Sequence, residues 1–224
     1  MTINVNDIKI TIVIATYNSM HVLPKVINAI EKQTFPRDNI EILLVDGGSS
    51  DNTLEYGGSR GCQVIVNPRT EPVYAKYLGF VNCKTRYLIY LDHDEVYFNE
   101  NCLLDQMTTI LESGSKTVLS AGYINPKNEH PINDYINEFG DPFSCFIYNL
   151  SKSPSRFLAE MSKRYVVENH DRWVGVDFGD KNQLPLIELL AIGTLIDRSY
   201  FLEQFPEFVS KSENLPHLFY MLMT

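Results

Sequence analysis

The chain has 224 residues, 44% of them hydrophobic and 21% charged, with a formal charge of −9 and a sequence pI of about 5.0. That length suits one sizeable α/β domain, or two small lobes sharing a core. The acidic balance excludes a protein that grips nucleic-acid backbones through a basic surface, yet it leaves room for a nucleotide held through a metal ion.

In chain order, Ile8–Ile14 alternates and is rich in β-branched residues, which predicts a first strand running into the polar turn Ala15-Thr16-Tyr17-Asn18-Ser19. From Met20 to Gln33, Val22, Leu23, Val26, Ile27 and Ile30 recur at helical spacing, with Pro24 in the first turn. A second strand, Ile40–Val45, stops at Asp46-Gly47-Gly48-Ser49-Ser50-Asp51. Two glycines there let the backbone approach a ligand, and Ser50 or Asp51 can cap the next helix. The spacing is neither the G-x-G-x-x-G dinucleotide fingerprint nor the G-x-x-x-x-G-K-[ST] phosphate loop. A short strand at Gln63–Val66 and a helix over Tyr74–Cys83 follow.

Next comes Arg86-Tyr87-Leu88-Ile89-Tyr90-Leu91-Asp92-His93-Asp94-Glu95. An unbroken apolar run of this kind predicts a strand buried on both faces. Alternation along an extended chain would place Asp92 and Asp94 on the same side, about 6–7 Å apart. Two carboxylates so placed repel each other, and a divalent cation between them removes the repulsion. The plainer reading of such a pair is one Asp capping a turn and the other solvated. The alternation of strands and helices implies a mostly parallel sheet with right-handed crossovers. Three polar strand ends, at 16–18, 46–48 and 92–94, then converge on one edge, where open α/β sheets bind ligands. A helix over Asn101–Ser113 and a strand over Thr117–Tyr123 complete this half. Beyond Asn125-Pro126 aromatics and prolines become dense. The expected organisation is therefore two lobes, at 1–125 and 126–224.

The ordered motifs Ile-Ala-Thr-Tyr-Asn (14–18), Leu-Val-Asp-Gly-Gly-Ser-Ser-Asp-Asn-Thr (44–53), Ala75-Lys76 with Gly79, and Leu-Asp-His-Asp (91–94) resemble the inverting family-2 glycosyltransferases. The resemblance covers about the first hundred residues. It implies the GT-A fold: a Rossmann-like, mostly parallel sheet flanked by helices, with a smaller mixed acceptor-side lobe. By position it implies that Ala15, Thr16 and Tyr17 lie along the base and ribose of a nucleotide-diphospho-sugar, typically UDP-linked. It further implies that Asp46 bonds the base, with Gly48 beside it, and that the Asp51 region shapes that pocket. Lys76, Asp92 and His93 fall near the nucleotide, and Asp94, with Asp92, would hold Mn²⁺ or Mg²⁺ on the diphosphate. Ala15 stands where the family often has Pro, and Tyr77 where Asn is common. Ala191–Phe201 resembles the strand beneath the acceptor site. Some twenty residues later the family has an acidic pair, where this chain reads Ser212-Glu213-Asn214. Glu213 is thus the first candidate for the base, with Asp177 and Asp180 behind it, and a surface residue opening a terminal helix is the alternative. Asn169-His170-Asp171-Arg172-Trp173 echoes the Q-x-x-R-W signature of processive members but precedes the acid, and is set aside.

The implied activity is metal-dependent transfer to a hydroxyl of a glycan, lipid-linked or small-molecule acceptor, in glycan or cell-surface polysaccharide synthesis. Two alternatives stand beside it. One is a transferase-like protein that binds a nucleotide sugar without turnover. The other is a haloacid-dehalogenase-like phosphatase using Asp92-His93-Asp94-Glu95-Val96, though its motif should follow the first strand and not the fourth. Cys62, Cys83, Cys102 and Cys145 share no metal-binding spacing, nor do His21, His93, His130, His170 and His217. Scattered thiols suit a reducing compartment. With no signal peptide in Met1–Asp7 and no apolar run near the ~18–20 residues that span a bilayer, a cytoplasmic location is expected. The sequon Asn149-Leu150-Ser151 would then be idle. The aromatic segment 139–148 reads first as core, with contact to the inner membrane face or a lipid-linked acceptor as the alternative. The apolar ending at Phe219–Thr224 suggests that the natural chain continues.

Overall fold

The computed structural model describes residues 5–120, 131–132, 135, 154–177 and 192–223. The expectations for 121–123, the aromatic segment 139–148, Cys145, the sequon at 149–151 and Asp180 lie outside these residues. Two compact units are present, one formed by 1–119 with 192–224 and the other by 120–191.

The first unit is built on a six-stranded sheet. Its strands are β1 (Ile10–Thr16), β2 (Ile40–Asp46), β3 (Gln63–Val66), β4 (Tyr87–Asp92), β5 (Thr117–Ser120) and a late strand, Ile192–Asp197, which becomes β8. Their order is β3-β2-β1-β4-β8-β5. β1 pairs in parallel with β2 and β4, β2 with β3, and β8 runs antiparallel to β4. Every residue of β1 is buried, as the near-continuous apolar sequence demands of a strand covered on both faces. α1 (Leu23–Glu31) and α4 (Cys102–Ser113) cover one face, where Leu23, Val26, Ile27, Ile30, Leu103 and Met107 join Ile10, Ile12, Ile14 and Ile89 in one core. α2 (Thr53–Ser59) leads to β3, and α3 (Pro72–Asn82) covers the other face. Gly79 permits α3 its close approach, since a Cβ there would meet Val13 Cγ1 at 2.2 Å and Cγ2 at 2.9 Å.

The sequence boundary near 126 is crossed by β8, which returns to the sheet beside β4. It ends at Asp197, whose buried carboxylate accepts from Tyr200 N and pairs with Arg86 at 2.8 Å, capping the helix Arg198–Gln204. After the short helix Pro206–Lys211 and a single 3₁₀ turn at Ser212–Asn214, the last helix, Pro216–Met223, packs on α3 through Phe219. That ring meets Tyr77 and Phe80 edge-on, with centroids 5.2 and 5.1 Å away. In the second unit, the helix Pro154–Arg164 precedes a hairpin of β6 (Val166–Asn169) and β7 (Val174–Asp177), whose turn stacks His170 on Trp173 at 3.6 Å. Among the described residues no helix is long and apolar enough to cross a membrane.

The contact at Gly79 yields a paired test. Gly79→Ala should destabilise the protein by about 1–3 kcal/mol through overpacking against Val13. Gly58→Ala, in α2 with open space around it, should be neutral or stabilising by roughly 0.5–1 kcal/mol. Urea unfolding of the two variants beside the parent measures both; equal midpoints would refute the packing argument.

Candidate active site

The register decides which side chains meet at the carboxyl edge. Ala15 lies opposite Val45 on one side and Asp92 on the other. Alternation turns these three, like Val13, towards α3. Ala15 is small, which leaves room above it. A cleft of about 220 Å³ opens there, lined by Ala15, Thr16, Tyr17, Lys76, Asp92, His93 and Asp94, with Asn67, Thr70 and others. The three polar strand ends do meet at one edge.

Lys76 is the cleft's own cation. It is only 8% exposed, and its Nζ lies 2.9 Å from Asp92 Oδ1, whereas the Asp92 side chain is 43% exposed. The Tyr90 hydroxyl donates to the Lys76 carbonyl at 3.1 Å and fixes α3 to the sheet at this point.

Asp46 is buried behind Thr16. Its carboxylate accepts from Thr16 Oγ1 at 2.9 Å, from the backbone N–H groups of Gly48 and Ser49 at 2.9 and 2.7 Å, and from the Ser49 hydroxyl. Both oxygens therefore hold the loop. Gly48 takes a φ of +96° and is exposed on the loop, outside the cleft lining. The backbone room at Gly47 is filled from within the chain: a Cβ there would meet Thr70 at 3.1 Å. Asn18, with a φ of 47°, ties the first loop to the second by accepting from Ser50 N at 2.8 Å. Asp51 accepts from Met20 N and from the N–H and hydroxyl of Thr53, the first residue of α2, and the Thr53 hydroxyl bond chiefly draws its carboxyl below the ordinary range. Tyr17 is 53% exposed over the cleft.

The extended geometry expected for Asp92 and Asp94 is corrected by the structure. The strand ends at Asp92, and His93-Asp94 form a turn. Glu95 closes it, since its N–H donates to the Asp92 carbonyl at 3.0 Å and its carboxylate accepts from Asp92 N at 2.9 Å. The two aspartates share the cleft because of this turn and not through strand alternation. Oxygen donors of this kind suit Mg²⁺ or Mn²⁺, which keep several ligands from water and substrate phosphates. Among the described residues no cluster of three or more His, Cys, Asp or Glu could hold a metal by itself. Asp94 is exposed on the turn, its carboxylate open to solvent.

Sequence reasoning missed the edge formed by Asn67–Thr70. Asn67, 3% exposed, donates through its N–H to the Asp46 carbonyl at 2.7 Å and through Nδ2 to the Glu71 carbonyl at 2.9 Å, while its Oδ1 accepts from Arg69 N. An Asn-Pro after a strand signals such a turn. Nothing in the sequence signals Thr70, which has a φ of 61°, an outlier for a β-branched residue, and donates to the Gly47 carbonyl at 3.0 Å.

Of the candidate bases, Glu213 sits in the 3₁₀ turn of the same unit, its side chain 56% exposed. Its Oε1 accepts from the Tyr74 hydroxyl at 3.2 Å, and its carbonyl accepts from Arg69, the neighbour of cleft-lining Thr70. Burial, chiefly, and this carboxylate raise the Tyr74 phenol above its ordinary range. Glu213 itself is not part of the cleft lining. Asp177 ends β7 in the second unit.

A sequence profile of Glycosyl transferase family 2 matches residues 11–165. The chain belongs to that family. Its fold is α/β with a mostly parallel central sheet. The poly(ribitol-phosphate) β-N-acetylglucosaminyltransferase TarS of Staphylococcus aureus strain Mu50 is 26% identical over 117 residues, 50% of this chain and 20% of TarS. The Escherichia coli UDP-Glc:α-D-GlcNAc-diphosphoundecaprenol β-1,3-glucosyltransferase WfgD is 28% identical over 113 residues, 48% of this chain and 43% of WfgD. The matches therefore span less than half of either relative. The crystal structure of TarS 1–349 in complex with UDP superposes on 96% of this chain and 55% of its own, with a TM-score of 0.56 at 17% identity, a likeness of fold.

Asp46 gives the test of this site's scaffold. Asp46→Ala strands two backbone N–H groups and two hydroxyls, and should cost about 3 kcal/mol. Chemical denaturation measures it. A loss below about 1 kcal/mol would show that the loops do not depend on this carboxylate.

Proposed function

We propose that the chain moves a sugar from a UDP-sugar to an acceptor hydroxyl with inversion, using Mn²⁺ or Mg²⁺, in glycan or polysaccharide synthesis. The observation that carries this is the cleft itself. In a family-2 chain, three strand ends in register open a space walled by Ala15 and Thr16, with Lys76 at its back and Asp94 exposed at its mouth. The UDP-Glc donor named for WfgD supports the UDP donor, and so does the UDP complex of TarS.

In this reading, Tyr17 lies against the base or ribose and Thr16 beside it, while Asp46 acts by keeping their loop in shape. Asp94, with Asp92, would hold the cation, which when bound offsets the negative charge growing on the departing diphosphate. A base takes the acceptor's proton as the acceptor oxygen forms its bond to the anomeric carbon. The bond from that carbon to the phosphate oxygen breaks on the opposite side, and its electron pair leaves with UDP. Glu213 is the first candidate for the base because it belongs to the unit that bears the cleft and contacts the loop beside it. Asp177 is the second, and Asp180 a third. The acceptor is a glycan, a lipid-linked sugar or a small molecule; WfgD's name, with its diphosphoundecaprenol acceptor, supports the lipid-linked class. Family membership leaves the phosphatase alternative without support.

The expected result for Asp94→Ala is loss of the metal-dependent part of UDP binding, and a fall in sugar transfer or donor hydrolysis of roughly 10²-fold or more. Calorimetry with UDP, in Mn²⁺ and in chelator, checks the first. Unchanged affinity in both conditions would refute the metal assignment. Binding without transfer by the parent chain, across a panel of donors and acceptors, would leave a nucleotide-sugar-binding role.

A further inference from the structure

Arg69 stands in the chain between two residues that line the cleft, Asn67 and Thr70, and is outside the lining itself. Its guanidinium is engaged elsewhere. Cζ lies 3.9 Å from the centre of the Tyr74 ring, and Nη1 donates to the Glu213 carbonyl at 2.9 Å. Tyr74 is buried, and its hydroxyl donates to Glu213 Oε1 at 3.2 Å, so the platform under Arg69 is fastened to the same turn. The guanidinium and the Glu213 carboxylate are 3.8 Å apart and partly exposed, and their charges add little. The edge to which Arg69 belongs is strained. Thr70 holds a φ of 61°, which a β-branched residue keeps only where its surroundings impose it. On one side the Asp46 and Gly47 carbonyls do so, accepting from Asn67 N at 2.7 Å and from the Thr70 hydroxyl at 3.0 Å. Arg69 supplies the hold on the other side.

We propose that Arg69 is a positioning residue for the donor cleft: through the Glu213 carbonyl and the Tyr74 ring it clamps the 67–70 edge to the turn Ser212–Asn214, and so sets Thr70 at the cleft wall before a nucleotide arrives. This rests on the nucleotide-sugar reading above. An edge already held need not be ordered by the ligand, so the clamp appears as nucleotide affinity. It acts on the backbone of Glu213 and not on its charge. Holding the edge is therefore separate from any proton transfer by the Glu213 carboxylate, and the two duties can be lost one at a time.

The experiment is calorimetry of the whole chain with UDP in Mn²⁺. Arg69→Met should weaken UDP binding roughly 3–10-fold, the worth of about one hydrogen bond. Arg69→Lys, which keeps a donor and a charge for the carbonyl and the ring, should recover most of that loss. Tyr74→Leu keeps the Arg69 charge and removes its platform, and should weaken UDP comparably. If it does not fold, Tyr74→Met takes its place with the same expectation. Adding Arg69→Met to the Tyr74 variant should cost little more, because both changes release one clamp. Fully additive losses would mean that Arg69 attracts the diphosphate directly, and overturn the proposal. So does unchanged affinity in Arg69→Met. A loss in Glu213→Gln as large as that in Arg69→Met would place the effect in the carboxylate's charge and overturn it too. Hydrogen exchange in the free chain supplies a readout without nucleotide: the Asn67 and Thr70 amides should exchange faster in Arg69→Met than in the parent, and equal rates refute the clamp. If the parent does not bind UDP, the donor assignment falls, while the exchange comparison still decides what Arg69 does.

Discussion

Asp46 ends β2 with 2% of its surface exposed, and its two oxygens satisfy the Thr16 hydroxyl at the end of β1 together with two backbone N–H groups and a hydroxyl of its own loop. This one carboxylate fixes where two strands stop and how the chain turns away from both. A buried polar group is tolerable only when its partners are complete, and the partners here come from two separate elements. Thr16 and Tyr17 are held at the cleft as a result, as is Asn67, whose N–H is fastened to the Asp46 carbonyl. The geometry available to a ligand is set by hydrogen bonds that no ligand needs to make.

The sheet imposes the other constraint. β1 is buried from end to end, so helices must press on both faces, and the chain meets this with a residue lacking a side chain where the fit is closest: Gly79 over Val13. Lys76 is carried on the same helix three residues earlier. Its position over Asp92 is thus inherited from core packing and from the Tyr90 hydroxyl, more than from the ion pair, which is partly exposed on the Asp92 side and weak by itself.

What could be read from the sequence was whatever follows from a fixed period. Buried strands announced themselves by unbroken apolar runs, α1 and α4 by their 3.6-residue spacing, and the shared sheet edge by the alternation of strands and helices. Boundaries shifted by two or three residues, as at β1, where the polar Thr16 lies inside the ladder because Asp46 pairs with it. Readings that assumed continuation of a period failed at its end. Asp92 and Asp94 were placed by extended geometry, but Glu95 curls back on the strand. The 67–70 edge was missed because β3 is mostly exposed and because a threonine's left-handed backbone leaves no trace in composition. The surroundings of the candidate base could not be read because they depend on long-range approach: Glu213 meets Tyr74 across 139 residues of chain.

The insertion of β8 between β4 and β5 has a consequence in time. β4, the strand that carries Asp92, is closed on its far side only when residues 192–197 arrive. At ribosomal rates, the intervening hundred or so residues take roughly 5–20 s to emerge. Throughout that interval the strand bearing the cleft's acids is an open edge, with its backbone N–H and C=O groups free to recruit any extended segment nearby. Maturation of the site is therefore a late event set by the order of synthesis, and the nascent chain is most exposed to mispairing at the strand on which its chemistry depends.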